Sequence, residues 1–195
     1  MPDRLKLPFT FDTHLLSEDL DQLGQQWTQH YNRENYSGSW QAIPLRSPCG
    51  ETDASRMIQA DPTQKIFVDT TCLQNTLYFQ QVLSSFESTI FAARLMRLTA
   101  GSVIKEHTDD GLRFEDGVVR IHIPIRTNSE VDFFLNGSRV EMMPGNCWYL
   151  RLSDPHQVRN RGKTDRIHLV IDMKVNGWLT KLFRAAKNSR NSNGT

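Results

Sequence analysis

His107 and Asp109 are separated by one residue, and His156 follows beyond a run of short β-type segments. Residues two apart on an extended chain point to the same side, so the imidazole and carboxylate of His107-Thr108-Asp109 can meet one metal ion. His156 can complete the set. Two histidines and one carboxylate on one face of an octahedral ion are the ligands of mononuclear non-haem Fe(II) sites, which keep positions open for a cosubstrate and dioxygen. Asp110 points the opposite way and ranks below Asp109 as a ligand.

Val119, Ile121, Ile123 and Ile125 alternate with Arg120, His122 and Pro124, and Ile167, Leu169 and Ile171 alternate with Arg166, His168 and Asp172. This period of two describes strands with one apolar and one polar face, and each polar face carries an arginine and a histidine. If those faces line a barrel lumen, the guanidinium of Arg166 can take the distal carboxylate of 2-oxoglutarate bidentately. His122 or Arg120 can bind a further carboxylate oxygen. His168 reads as a hydrogen-bonded support, and His14 and His30 as solvated or packing residues on or near a helix.

The elements that must hold these groups follow from periodicity. Leu16, Leu20, Leu23, Trp27 and Tyr31 recur at three- and four-residue steps, which predicts an amphipathic helix over roughly 13–31. Ala42 to Leu45 reads as a short extended stretch before the turn-rich Arg46 to Thr63. Leu77, Val82, Leu83 and Phe86 suggest a shorter second helix. From Phe91 to Met173 the pattern changes to short strands at Phe91–Leu98, Val118–Ile125, Val131–Leu135, Asn146–Leu152 and Ile167–Met173. Asn136-Gly137 is a hairpin signal, and Pro144-Gly145 a turn. Trp178, Leu179, Leu182 and Phe183 predict a C-terminal helix that closes one end of the barrel or mediates a dimer.

At 195 residues, the chain fits one domain with a helical extension. Twenty-three basic and 22 acidic residues leave a formal charge of +1, which speaks against a nucleic-acid partner or a polybasic membrane anchor. The first residues lack the pattern of a secretory signal and no apolar run approaches a bilayer span, so the expected location is cytoplasmic. Cys49, Cys72 and Cys147 are widely spaced and fit reduced thiols. Asn35-Tyr-Ser, Asn136-Gly-Ser and Asn193-Gly-Thr match the glycosylation pattern but read as accidental.

The stretches RLMRLTAGSVIKEHTDDGL, VVRIHIPIRTN, the Gly145 to Trp148 turn and DPHQVRNRGKTDRIHLVIDM resemble the aspartyl/asparaginyl β-hydroxylase family, which includes bacterial proline hydroxylases. The resemblance covers roughly residues 90–175, with a looser match at Tyr36 to Arg46. It implies a mainly β, double-stranded β-helix (cupin-like jelly roll) with N-terminal helices, binding Fe(II) and 2-oxoglutarate. His107 and His156 match the family's iron histidines, Arg166 the arginine that anchors 2-oxoglutarate, and Arg120 with His122 its RxH strand. Vertebrate peptidyl members have a glycine where this chain has Asp109. The retained carboxylate makes the chain more similar to bacterial amino-acid hydroxylases, and favours hydroxylation over halogenation.

The implied domain spans 1–187, with a helical part over 1–90, a β core over 91–175 and a flexible tail over 188–195. The implied reaction consumes dioxygen, decarboxylates 2-oxoglutarate to succinate and hydroxylates an amino acid, free or within a peptide. Arg94, on the opposite side of its strand from Arg97, is the candidate for a substrate carboxylate. Tyr36 and Trp40 are candidates for an apolar wall over the site, or for packing alone. The alternative is a cupin-type protein that binds a metal or small acid without oxidising anything. Oligomeric state is left open.

Overall fold

The chain alternates short strands with a few helices, and the pairing of those strands decides where the polar faces go. The computed structural model describes residues 1–49, 51, 53–58 and 66–192. In chain order the elements are β1 (Arg4–Thr10), α1 (Thr13–Gln22), β2 (Thr28–Gln29), β3 (Tyr36–Ser37), β4 (Trp40–Pro48), α2 (Ala54–Met57), β5 (Phe67–Asp69), α3 (Thr71–Gln74) and α4 (Leu77–Ser84). They continue with β6 (Ile90–Leu98), β7 (Val103–His107), β8 (Val118–Arg126), β9 (Val131–Leu135), β10 (Ser138–Arg139), β11 (Asn146–Leu150), β12 (His156–Asn160), β13 (Arg166–Lys174) and α5 (Gly177–Ser192).

Two antiparallel sheets face each other. The large one has the order β1-β11-β8-β13-β6-β4-β2, with β5 paired to β4, and the small one the order β10-β9-β12-β7-β3. This is the double-stranded β-helix that the sequence implied. The odd-numbered residues of β8 and β13, Ile121, Ile123, Leu169 and Ile171, pack outward against Leu16 and Leu20 of α1, Phe79 and Val82 of α4, and Leu179 and Phe183 of α5. Burying one such side chain is worth roughly 1.5–3 kcal/mol, so this outer layer fixes the register of the large sheet. The inner faces bring Met96, Leu98 and Val170 against Ile104, Phe133, Leu135 and Val158. Polar residues of the same inner face are left pointing into the space between the sheets.

Several elements differ from the sequence reading. The first helix stops at Gln22, because Leu23 caps it and Gly24 turns the chain at φ +59°. Trp27 then lies under the Arg97 guanidinium, 4.3 Å from its ring. Residues 1–90 are also not simply helical, since β1 to β5 lie there and β1 and β4 build the large sheet. The C-terminal helix runs on to Ser192, past the expected start of a tail at 188. Its buried residues Leu179 and Phe183 cover the outer face of the large sheet, with Phe183 4.7 Å from Tyr149. Part of the turn-rich Arg46 to Thr63 segment, and Asn193-Gly-Thr, lie outside the described residues.

Candidate metal centre and anion pocket

β7 and β12 are hydrogen-bonded neighbours in the small sheet, and their register sets His107 directly opposite His156. The ring centroids are 4.2 Å apart. Asp109 follows β7, where its backbone N–H donates to Leu152 O at 2.8 Å and fixes the turn of the chain. One ligand atom each from His107, Asp109 and His156 lies within 4.8 Å of the others, which suits one metal ion. The Nδ1 atoms of His107 and His156 sit 2.8 and 3.0 Å from the carbonyls of Lys105 and Asp154. A carbonyl only accepts, so Nδ1 carries the proton and each Nε2 lone pair is left for a metal. Burial pushes His156 down to about 4, which keeps it in the neutral, ligating form.

Across a cavity of about 580 Å³, the inner face of the large sheet supplies the cations. Arg166 of β13 is 3 % exposed. Its Nη2 lies 2.9 Å from His168 Nδ1, and its buried Nε has no partner. Among the described residues no carboxylate pairs with it. Burial lowers its pKa, but a guanidinium keeps its proton, so the unpaired charge is a standing cost until an anion arrives. His122 of β8 is equally unsatisfied, with neither ring nitrogen bonded. Burial, then Arg166, holds it neutral, well below its ordinary value. A charged fork and an imidazole with free nitrogens beside the ligand set fit a diacid that also reaches the metal.

Arg120, expected as a cosubstrate contact, lines the cavity and is also held by two carboxylates. Its Nη1 donates to Asp109 Oδ2 at 2.5 Å, and its Nε and Nη2 grip Asp172 at 2.6 and 2.9 Å. Arg94 Nη1 joins the same carboxylate at 2.8 Å. Burial alone would raise the Asp172 carboxyl, but the Arg120 and Arg94 guanidiniums outweigh it and hold it far below the usual range. Arg94 lines the cavity, while Arg97 on the opposite side bonds Gln41 at 2.8 Å. Trp40 lines the cavity 6.4 Å from His107, stacked at 3.6 Å on His30. Tyr36 stands behind it, edge-on to Trp40 at 5.9 Å, with its hydroxyl donating to His30 O. It therefore supports the wall without lining it.

The structure thus brings His107, Asp109, His156, Arg166, His122, Arg120, Arg94 and Trp40 to one cavity. Asp110 lies at its exposed rim. His30, Tyr31, Asn32 and Phe133 also line it and were not anticipated, nor was the part played by Asp172. Asp172 did carry a signal, since it shares the parity of Arg166 and His168 on β13.

A barrel with candidate metal ligands beside one sheet and a buried guanidinium without a carboxylate partner on the other suits the cupin-like hydroxylases and dioxygenases. The particular family follows from the sequence. The family model described as Aspartyl/Asparaginyl beta-hydroxylase matches residues 11–175, and the chain belongs to that family. It is 24% identical over 176 residues to the L-proline cis-4-hydroxylase of Rhizobium meliloti (strain 1021), a match covering 89% of this chain and 61% of that protein. The chain therefore spans less than two thirds of that relative's length. Among solved structures, a 2OG-Fe(II) oxygenase family oxidoreductase from Burkholderia pseudomallei is similar with TM-score 0.56 and 16% identity, covering 88% of this chain and 85% of that one. HygX from Streptomyces hygroscopicus, solved with nickel and 2-oxoglutarate, is similar with TM-score 0.55 and 10% identity, covering 90% and 84%. At these identities the two structures speak for the fold.

Proposed function

We propose that this chain is an Fe(II)- and 2-oxoglutarate-dependent hydroxylase of an amino acid, preferably free. The observation that carries the proposal is the buried Arg166, without a carboxylate partner, facing the His107, Asp109 and His156 set across one cavity. Bound iron supplies activation of dioxygen which, coupled to decarboxylation of 2-oxoglutarate to succinate and carbon dioxide, is strong enough to hydroxylate an unactivated C–H bond. The protein's residues do the positioning. His107, Asp109 and His156 hold the metal, Arg166 takes the distal carboxylate in its fork, and His122 donates to a second carboxylate oxygen.

Charge supports the substrate class. Iron with Asp109 carries one net positive charge and Arg166 another, which together balance the 2-oxoglutarate dianion. Arg94 and Arg120 against Asp172 leave one further positive charge beside the metal corner, suited to the carboxylate of an amino acid. Arg94 is the residue proposed to meet it. Trp40 gives that substrate an apolar wall, and the substrate of the Rhizobium relative supports a small, free amino acid. Closing the cavity around such a substrate excludes water from the reacting carbon.

Anaerobic titration of Fe(II) and 2-oxoglutarate is expected to give the weak metal-to-ligand charge-transfer band of a chelated 2-oxoacid, and Arg166→Ala to lose it. An unchanged band in that variant counts against the anchor. A panel of free amino acids and short peptides, assayed for succinate and for products heavier by one oxygen, then names the substrate. Tight binding of metal and diacid with no coupled turnover on any of them would favour the binding-protein alternative.

A further inference from the structure

We propose that Asp172 and Arg120 are positioning residues for the metal ligand Asp109, forming a relay that leaves only one oxygen of that carboxylate free for the metal. The proposal deepens the metal-site reading above and rests on it. Four side chains from three adjacent strands and the turn after β7 alternate in charge: Arg94, Asp172, Arg120, Asp109. Arg94 donates to Asp172 at 2.8 Å, Arg120 grips Asp172 at 2.6 and 2.9 Å, and Arg120 reaches Asp109 at 2.5 Å. Arg94 and Asp172 are 3 % and 0 % exposed.

The atoms matter more than the charges. Arg120 occupies Oδ2 of Asp109, whereas Oδ1 is the atom turned to His107 Nε2, 3.7 Å away. With Oδ2 tied to a guanidinium, the carboxylate offers a single oxygen to a metal, and the ion keeps the open positions that a chelating cosubstrate and dioxygen need. Asp109 lies on a loop, where a free carboxylate would rotate between one- and two-oxygen ligation. Arg120 is itself immobilised from behind, because Asp172 holds two of its nitrogens in a plane and is in turn pinned by Arg94. A single hydrogen bond to a mobile arginine would not fix the ligand, but a fork anchored in the large sheet does. The relay thus runs from the middle of one sheet to a ligand carried beside the other.

The test is a double-mutant cycle on metal affinity, read by calorimetry with Ni(II) alone at neutral pH, in the absence of any substrate or cosubstrate. Asp172→Asn is expected to weaken Ni(II) binding by about 10- to 100-fold in the presence of Asp109, and by less than about twofold when added to Asp109→Ala. Asp172→Asn leaves two buried guanidiniums short of a counter-charge and can fail to fold. Arg120→Lys is the second variant, since an ammonium preserves the charge but cannot span both carboxylates; it is expected to show the same Asp109-dependent loss. Thermal melts establish which variants are folded. A folded variant that binds Ni(II) as the parent does, or that loses the same factor without Asp109, overturns the relay. Failure of the parent chain to bind Ni(II) overturns instead the metal-site reading beneath it.

Discussion

Arg166 and His122 have an energetic meaning that spacing alone did not provide. A guanidinium buried without an anion is destabilising in the free protein and becomes an affinity source when a carboxylate fills the gap. Arg166→Lys keeps the charge but loses the fork, and is expected to weaken 2-oxoglutarate binding by roughly tenfold, measured by the charge-transfer titration. The buried imidazoles give a second expectation. Burial lowers His156 to about 4 and His30 to about 3, and holds His122 and His168 well below their ordinary value. A histidine whose folded pKa is depressed contributes stability that is complete above the unfolded value of about 6.5 and is lost as pH falls towards the folded one. The metal-free protein is therefore expected to lose stability as pH falls below about 6.5, with a urea midpoint that rises steadily from about pH 5 to 7. A flat profile over that interval would contradict the burial of these rings.

At the level of elements, the strands with clean alternation were legible and those that carry the ligands were not. β8 and β13 announce themselves by isoleucines and leucines at every second position. β7 (VIKEH) and β12 (HQVRN) are short and largely polar, because one of their faces is the site itself. Their candidate metal ligands stand out by ligand chemistry and family resemblance, not by strand propensity. β1 (RLKLPFT) did alternate, but its distance from the other strands and its Pro8 hid its pairing with β11 at the sheet edge. The helix over 13–31 was read too long because Leu23 and Trp27 continue its apolar period by coincidence while Gly24 ends it. Arg120 was legible only in part for a related reason: a sequence shows that a cation faces inward, but not that two carboxylates hold it. The Pro144-Gly145 turn was legible and is tightly built, since Gly145 has φ +76° and an added Cβ would lie 2.4 Å from Phe11 O. Gly145→Ala is expected to cost about 2 kcal/mol or more, from left-handed strain and that backbone clash, read as a lower urea midpoint.

For the whole molecule, no helix among the described residues is long and apolar enough to cross a membrane, and the three cysteines are free thiols. Ligands that bind only the folded state raise its stability by about 2.7 kcal/mol at a hundredfold excess over Kd. Ni(II) with 2-oxoglutarate is therefore expected to raise the melting temperature by roughly 5–10 °C, and the diacid without metal by much less. Arg166→Ala should remove most of the diacid's share while leaving that of Ni(II).

The two sheets carry different halves of the site: His107 and His156 belong to the small sheet, Arg166 and His122 to the large one. Whatever spans from the metal to the arginine is thus gripped by both layers at once, and the separation of the layers acts as a caliper on it. A diacid one methylene shorter than 2-oxoglutarate leaves one jaw empty, and one methylene longer must buckle or force the jaws apart. Melting curves with oxaloacetate, 2-oxoglutarate and 2-oxoadipate in the presence of Ni(II) should peak at the middle length. The selectivity of this barrel for a diacid would then be a property of the distance between two sheets, set by the hydrophobic residues packed between them.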